Sequence, residues 1–180
     1  MIEHVICETE RLRLRRWHDE DKTPFARMNA DPTVMNYFGP PLSRSASDAA
    51  VNDQLLLMMA NEPAFWAVER LDDGQFMGCI GIKRVNFKAA FTPTYEIGWR
   101  LARSFWGHGY ATEGAKAALN IGFLRWDLST IHSFTVPANK GSQSVMEKIG
   151  MQRVPGGDFR HPKLSGDDPL SEHVLYKWQA

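Results

Sequence analysis

Two features of this chain could do chemistry. Gly107-His108-Gly109 stands where an apolar, strand-like run, Tyr95 to Leu101, gives way to an alanine-rich helical pattern from Ala111. A strand, a Gly-x-Gly turn and a helix N-terminus bring backbone N–H groups and the positive end of a helix dipole to one point, an arrangement that cradles phosphate. In the strand itself, Glu96 is an ionisable group among apolar neighbours. Such a carboxylate needs a charge partner or a chemical task.

A Gly-x-Gly turn by itself also suits a tight strand-to-helix connection with no ligand, so its context decides. A dinucleotide fold places G-x-G-x-x-G/A directly after the first strand, whereas position 112 is Thr here and about half of the chain precedes the turn. The G-x-x-x-x-G-K-[ST] loop of nucleoside-triphosphate enzymes is absent. His4, His18, His108, His132, His161 and His173 show no metal-binding spacing, and Cys7 and Cys79 give neither a ligand pattern nor a disulfide framework. No metal is expected. His132 reads as a satisfied core histidine; His161 and His173, around the late excursion, could border the acceptor pocket, and a solvated loop is the favoured reading.

The elements that position these groups can be read in order. Residues 9–17 alternate arginine with Leu12 and Leu14, which predicts a first strand with Arg11, Arg13, Arg15 and Arg16 on a solvated face. Asp19 caps a short helix that turns Phe25 and Met28 inward and ends near Asp31-Pro32. Residues 36–42 form a loop, because Gly39, Pro40 and Pro41 forbid regular structure. Its Tyr37 and Phe38 could line a substrate pocket, and Phe38 suits a core plug at least as well. Ser45 or Ser47 caps a second helix to about Asn61, and a hairpin follows around Asp72-Asp73-Gly74. Small residues in the first turns of the helix from Ala111 let it approach a sheet closely. Residues 129–136 are a strand, 139–149 a helix stopped by Gly150, and 173–178 the final strand, after a Pro/Gly/Asp-rich excursion over 155–169.

At 180 residues, with 43% hydrophobic and 23% charged residues, the chain fits one soluble domain, an α/β (α+β) unit with a mixed sheet over residues 1–180. Its 21 Lys and Arg balance 21 Asp and Glu, so no overall field recruits nucleic acid or an anionic membrane. The longest apolar run, residues 55–60, is too short to cross a bilayer. With no signal peptide and no disulfide framework, a cytoplasmic setting is expected.

Three segments then occur in a fixed order: EIGWRL, FWGHGYATE and VPANKGSQSVMEKIGM. With the N-terminal TERLRLR, Asp31-Pro32 and the hairpin WAVERLDDGQFMGCIG, nearly the whole chain resembles the GNAT acetyltransferase superfamily. Within it, the chain is most similar to the branch containing the ribosomal-protein alanine N-acetyltransferases. The resemblance implies a mixed, strongly twisted sheet of about seven strands flanked by helices. It implies acetyl-CoA as cosubstrate, wedged between two splayed central strands at residues 95–101 and 129–136, and no metal.

It also assigns roles. The family's pyrophosphate motif falls on Trp106, Gly107, His108, Gly109, Tyr110 and Ala111, with Trp106 where Gln or Arg is usual. Backbone N–H groups from Gly107 to Ala111 would bind the diphosphate, Thr112 would add a hydroxyl and His108 a minor partial charge. Acetyl transfer to an amine needs a neutral nucleophile, a donor for the developing oxyanion and a proton for the leaving thiolate. Glu96, thirteen residues before Gly109, takes the place of the general base; pairing with an arginine is the structural alternative. The oxyanion donor is expected among the backbone N–H groups of Trp99, Arg100 and Leu101, where the family's strand bulges. Asn139 would contact the pantetheine arm, or cap a helix, or both. Ser142 would protonate the thiolate, since Met146 stands where many relatives carry a tyrosine; water is the other source.

The expected function is an N-acetyltransferase that moves an acetyl group from acetyl-CoA to a primary amine by direct attack in a ternary complex. The amine belongs to a protein N-terminus or a small molecule; a second copy of the chain, as a homodimer, is a further expected partner. Nucleic acid and membrane are not. The rival is an acyl-CoA-binding regulatory or sensor domain without catalysis, for which Met146 leaves room and against which Glu96 and Ser142 stand.

Overall fold

The computed structural model describes residues 5–180, and His4 lies outside the described residues. In chain order the strands are β1 (Val5–Glu8), β2 (Leu12–Arg15), β3 (Phe65–Arg70), β4 (Phe76–Arg84), β5 (Tyr95–Leu101), β6 (Thr130–Thr135), β7 (Gln152–Arg153), β8 (Phe159–Arg160) and β9 (Glu172–Gln179). The helices are α1 (Lys22–Asn29), α2 (Pro32–Met35), α3 (Arg44–Met59), α4 (Tyr110–Trp126) and α5 (Lys140–Lys148). The sheet runs β1-β2-β3-β4-β5-β6-β9-β7, with β8 also paired to β9. Every pairing is antiparallel except β5 with β6.

The nine strands exceed the expected seven by β1 and β8. These span four and two residues, too few to show a period of alternation in sequence. The helix over 44–59 is capped by Ser43, whose hydroxyl accepts from Ala46 N–H at 3.1 Å, and not by Ser45 or Ser47. Ser47 is instead buried and accepts from Asn29 Nδ2 at 2.9 Å.

One face of the sheet packs on α4. Leu12, Leu14, Trp66, Val68, Ile80, Ile82 and Ile97 form a core with Ala115, Ala118 and Leu119. A Cβ on Gly114 or Gly122 would stand 2.5 Å from Ile80 Cδ1 or 2.6 Å from Ile82 Cδ1, so bare backbone is what lets this helix lie close. On the other face, α1, α2 and α3 bring Phe25, Met28, Val34 and Val51 against Trp17, Ala67 and Cys79. No helix among the described residues is long and apolar enough to cross a membrane.

The predicted solvated arginine face is not observed. Arg15 is buried between Asp21 and Glu69, Arg13 pairs with Glu8 and Glu69, and Arg11 reaches Glu113 at the start of α4. Acidic partners from four other segments turn what looked like a polar edge into cross-links.

Candidate active site

β5 pairs with β4 along its whole length, from Gly78↔Leu101 to Arg84↔Tyr95, in unbroken register. Toward β6 the registered pair is Glu96↔His132, and Ser133 Oγ donates to Ile97 O at 3.0 Å just beyond it. Past that point the two parallel strands separate. Ile97 O turns toward β6, and Leu101 O, on the same edge, accepts from Trp106 Nε1 at 2.7 Å. Strand alternation places the N–H of Trp99 on that opened edge as well. The bulge expected near Trp99 to Leu101 is absent, and strand separation exposes the donor in its place.

The expected phosphate turn follows after a 3-10 turn over Arg103–Phe105. Gly107 (φ 80°) and Gly109 (φ 82°) are both left-handed, a conformation that strains any side-chain-bearing residue. Gly109 caps α4, so the N–H groups of Tyr110, Ala111 and Thr112 open its first turn without helical acceptors. Space beside Gly107 is open, with no heavy atom within 4 Å of where a Cβ would stand. Trp106 and His108 are exposed, and the His108 ring lies 5.8 Å from that of Tyr110.

Arg11 clamps this turn. Its Nε donates to Glu113 Oε2 at 2.7 Å, its Nη1 to His108 O at 3.0 Å, and its guanidinium lies 4.5 Å over the Tyr110 ring. Glu113 Oε1 also accepts from Thr9 Oγ1 at 2.6 Å and Arg11 N–H at 2.9 Å. Burial works to raise the Glu113 pKa, but the hydrogen bonds from Thr9 and Arg11 overcome it and hold the carboxyl below its ordinary range. Sequence reading missed Arg11 because its partner stands 102 residues away, beyond any local pattern.

Asn139 caps α5: its Oδ1 accepts from Ser142 N–H at 3.1 Å, while its Nδ2 donates to Thr135 Oγ1 at 3.0 Å. Ser142 Oγ accepts from Trp99 Nε1 at 3.3 Å, so the opening between β5 and α5 is bridged by these two side chains. Met146 is buried.

Glu96, Trp99 and Ser142 share a cavity of about 550 Å³, together with Tyr37, Phe38, Arg100, Lys83, His161 and His173. Burial pushes the Glu96 pKa up, against the pull of Lys83 and Lys163. Among the described residues the cation paired with its carboxylate is Lys83, Nζ 4.0 Å from Oε1, and the expected arginine is not found there. Phe38 is 48% exposed and lies 4.2 Å from the Arg100 guanidinium, which corrects the core-plug reading. The Arg100 side chain faces this cavity, with Nη1 donating to Asn29 Oδ1 at 2.9 Å.

His161 and His173 are half-buried and border the cavity, so the solvated-loop reading gives way to the pocket-border one. Their rings lie 5.3 Å apart within a cluster of Phe87, Phe134 and Phe159, and burial lowers the pKa of both. Their composition resembled a loop, and long-range packing decided otherwise. His132 is buried, with Nδ1 2.8 Å from Thr94 Oγ1, as expected of a satisfied core histidine. Among the described residues, no three His, Cys, Asp or Glu side chains are grouped to hold a metal ion.

Residues 11–152 match the family model of the acetyltransferase (GNAT) domain. The chain belongs to the GNAT acetyltransferase family. It is 35% identical over 144 residues to the uncharacterized protein YkkB of Bacillus subtilis, covering 79% of this chain and 83% of YkkB. The crystal structure of a GNAT-family acetyltransferase from Bacillus anthracis is 28% identical, with a TM-score of 0.75 over 96% of each chain. RimL, an α-N-protein acetyltransferase of a ribosomal protein in complex with coenzyme A, shares the fold with a TM-score of 0.79 over 97% of each chain, at 14% identity. This GNAT chain is an acetyltransferase with the strand opening and glycine turn described above.

Proposed function

We propose that this acetyltransferase moves an acetyl group from acetyl-CoA to a primary amine within a ternary complex. The observation that carries the reading is the convergence of Glu96, the open-edge N–H of Trp99 and the Ser142 hydroxyl on one cavity, at the point where β5 and β6 part. Two left-handed glycines and the open first turn of α4 fit a diphosphate at one end of that opening. When bound, acetyl-CoA supplies an acyl group activated as a thioester.

Each residue then has one task. The N–H groups from Gly107 to Thr112 hold the diphosphate. Glu96 takes a proton from the incoming ammonium and leaves a neutral amine. The Trp99 N–H donates to the acyl oxygen as negative charge develops there. Ser142 gives its hydroxyl proton to the departing sulfur and is refilled, directly or through water, by the second proton that the attacking nitrogen sheds as the amide forms. The amine belongs to a protein N-terminus, as in RimL, or to a small molecule.

Thiol release from acetyl-CoA across a panel of peptides, polyamines and small amines tests the proposal. Amine-dependent release is the expected result. Tight acetyl-CoA binding with no release on any amine would instead favour the acyl-CoA sensor reading.

A further inference from the structure

The cavity that contains Glu96 carries one cation more than it has carboxylates. Lys83, Arg100 and Lys163 line it, against Glu96 and Asp168. Lys83 stands beside Glu96, Lys163 Nζ donates to Asn86 Oδ1 at 2.7 Å, and Asp168 Oδ1 accepts from Leu170 N–H at 2.7 Å. Arg100 faces no carboxylate among the described residues. A guanidinium stays charged when buried, so this is a cation awaiting an anion.

Its setting is built. Asn29 Oδ1 accepts from Arg100 Nη1 at 2.9 Å, and Asn29 is itself fixed by Ser47 and by Leu42 N–H on its carbonyl at 2.9 Å. Phe38 covers the guanidinium at 4.2 Å. The buried Nε has no partner, and one of the five N–H donors is engaged within the chain.

Glu96 and Arg100 lie on the same face of β5, four residues and about 13 Å of strand apart. Gly98 between them has no side chain, and the Phe65 ring takes that place, its Cζ 3.2 Å from where a Cβ would stand, so the wall between the two charged groups is apolar. A carboxylate at one end and an unpaired guanidinium at the other bracket a small zwitterion.

We propose that the acceptor is a small amine bearing a free carboxylate, of amino-acid size, with its amine toward Glu96 and its carboxylate on Arg100. The guanidinium edge offers the parallel N–H donors that a carboxylate fits. A single excess cation matches a monoanion better than a phosphate, which carries about 1.5 to 2 negative charges. The same excess disfavours polyamines. This substrate class rests on the acyl-transfer reading above.

The test is thiol release by the intact chain with acetyl-CoA and a panel of free amino acids, their α-amides and spermidine. Accepted free acids are expected to exceed their amides by at least about tenfold in kcat/KM, because the amide leaves the buried cation unpaired. Arg100→Gln should bring acid and amide together while half-saturation by acetyl-CoA stays the same, and Arg100→Lys should keep part of the preference. Thermal unfolding checks that each variant is folded; if the glutamine variant is not, the acid-to-amide ratios of wild type and Arg100→Lys decide. Amides or spermidine used as well as free acids, or a preference that survives Arg100→Gln, would overturn the proposal. So would acetyl-CoA binding with no free acid consumed, and acyl transfer to other amines would then still stand. A chain that does not bind acetyl-CoA would remove both readings.

Discussion

Trp99 Nε1 donates to Ser142 Oγ at 3.3 Å across the gap where β5 and β6 have parted. A serine that accepts from an indole keeps its own hydroxyl hydrogen for another acceptor, and the open space beside it is where a departing sulfur would lie. Ser142→Ala is expected to lower kcat by about 10- to 100-fold, short of the full general-acid effect because water reaches the same place. Affinity for acetyl-CoA should hold, since the phosphate turn is a separate element. Trp99→Phe should cost less, and the double variant should be no worse than Ser142→Ala alone. Pre-steady-state thiol release and equilibrium binding of acetyl-CoA check all three.

Glu96 has a second signature, in pH. Burial raises its pKa above the ordinary carboxylate value of about 4.3, partly offset by Lys83 and Lys163. As a base it must be ionised, so kcat/KM should fall on the acid side at a higher pH than an exposed glutamate would give. Lys83→Met removes a charge that lowers this pKa and should move the limb further up, while Glu96→Gln should abolish the limb along with most of the rate.

The same shift acts on stability with a definite sign. A group whose folded pKa is raised stabilises the fold below its unfolded pKa and loses that contribution as pH rises through the folded value. Glu96→Gln is therefore expected to melt higher than the wild type at pH 8, with the difference vanishing near pH 4 and below. Thermal unfolding across pH measures this directly. An equal Tm at both pH values would show that Glu96 carries no burial cost.

How far the sequence showed all this depended on whether the signal was local. β5 is found at residues 95–101, as read, because its apolar run stops at Leu101, and the two left-handed glycines that mark the phosphate turn follow a 3-10 turn over Arg103–Phe105. Glu96, Trp99, Ser142 and the phosphate turn could all be placed from that stretch and the motif after it. The acceptor side was legible only as alternatives: Tyr37 and Phe38 as pocket lining or core plug, and His161 and His173 as pocket border or solvated loop. Their segments carry no periodic signal, and contacts to Arg100, Phe134 and Phe159 are what draw Phe38, His161 and His173 to the cavity. Arginines on β2 alternate like a polar face, yet their carboxylate partners come from β1, β3, α4 and the turn before α1. Pairings across such distances leave no periodic trace.

Arg11 ties the N-terminal strands to the phosphate turn through Glu113 and His108 O. Removing its side chain frees the turn without touching Glu96 or Ser142. Arg11→Ala is expected to raise KM for acetyl-CoA by about 5- to 50-fold, the equivalent of one charge-assisted hydrogen-bond set of roughly 1–2.3 kcal/mol, with kcat within about 2-fold. Glu113→Gln should produce a smaller rise, because the amide still accepts from Thr9. Its depressed pKa means that Glu113 contributes stability above the ordinary carboxylate range and loses it as pH falls through the lower folded value. The acid limb of wild-type stability should therefore flatten in the glutamine variant.

Arg15 and Asp21 form the most buried of the ion pairs, with side chains 8% and 5% exposed and two hydrogen bonds of 2.7 and 2.9 Å. Asp21 also accepts from His18 N–H at 2.8 Å, so this one carboxylate fixes the entry to α1, and α1 carries Phe25 and Asn29 to the cavity. Removing Asp21 leaves buried Arg15 with Glu69 as its remaining carboxylate, at 2.7 Å, and that carboxylate is shared with Arg13, so the cost falls toward the lower end of the roughly 3–5 kcal/mol of a broken buried pair. Asp21→Ala is expected to lower Tm by roughly 10 °C. Replacing both partners with apolar residues of similar volume, Arg15→Met with Asp21→Leu, should recover most of that loss, because Glu69 keeps Arg13 as a partner at 2.7 Å. Differential scanning calorimetry of the single and double variants separates the outcomes: a double variant as unstable as Asp21→Ala would mean that the pair specifies the position of α1 and does more than neutralise itself.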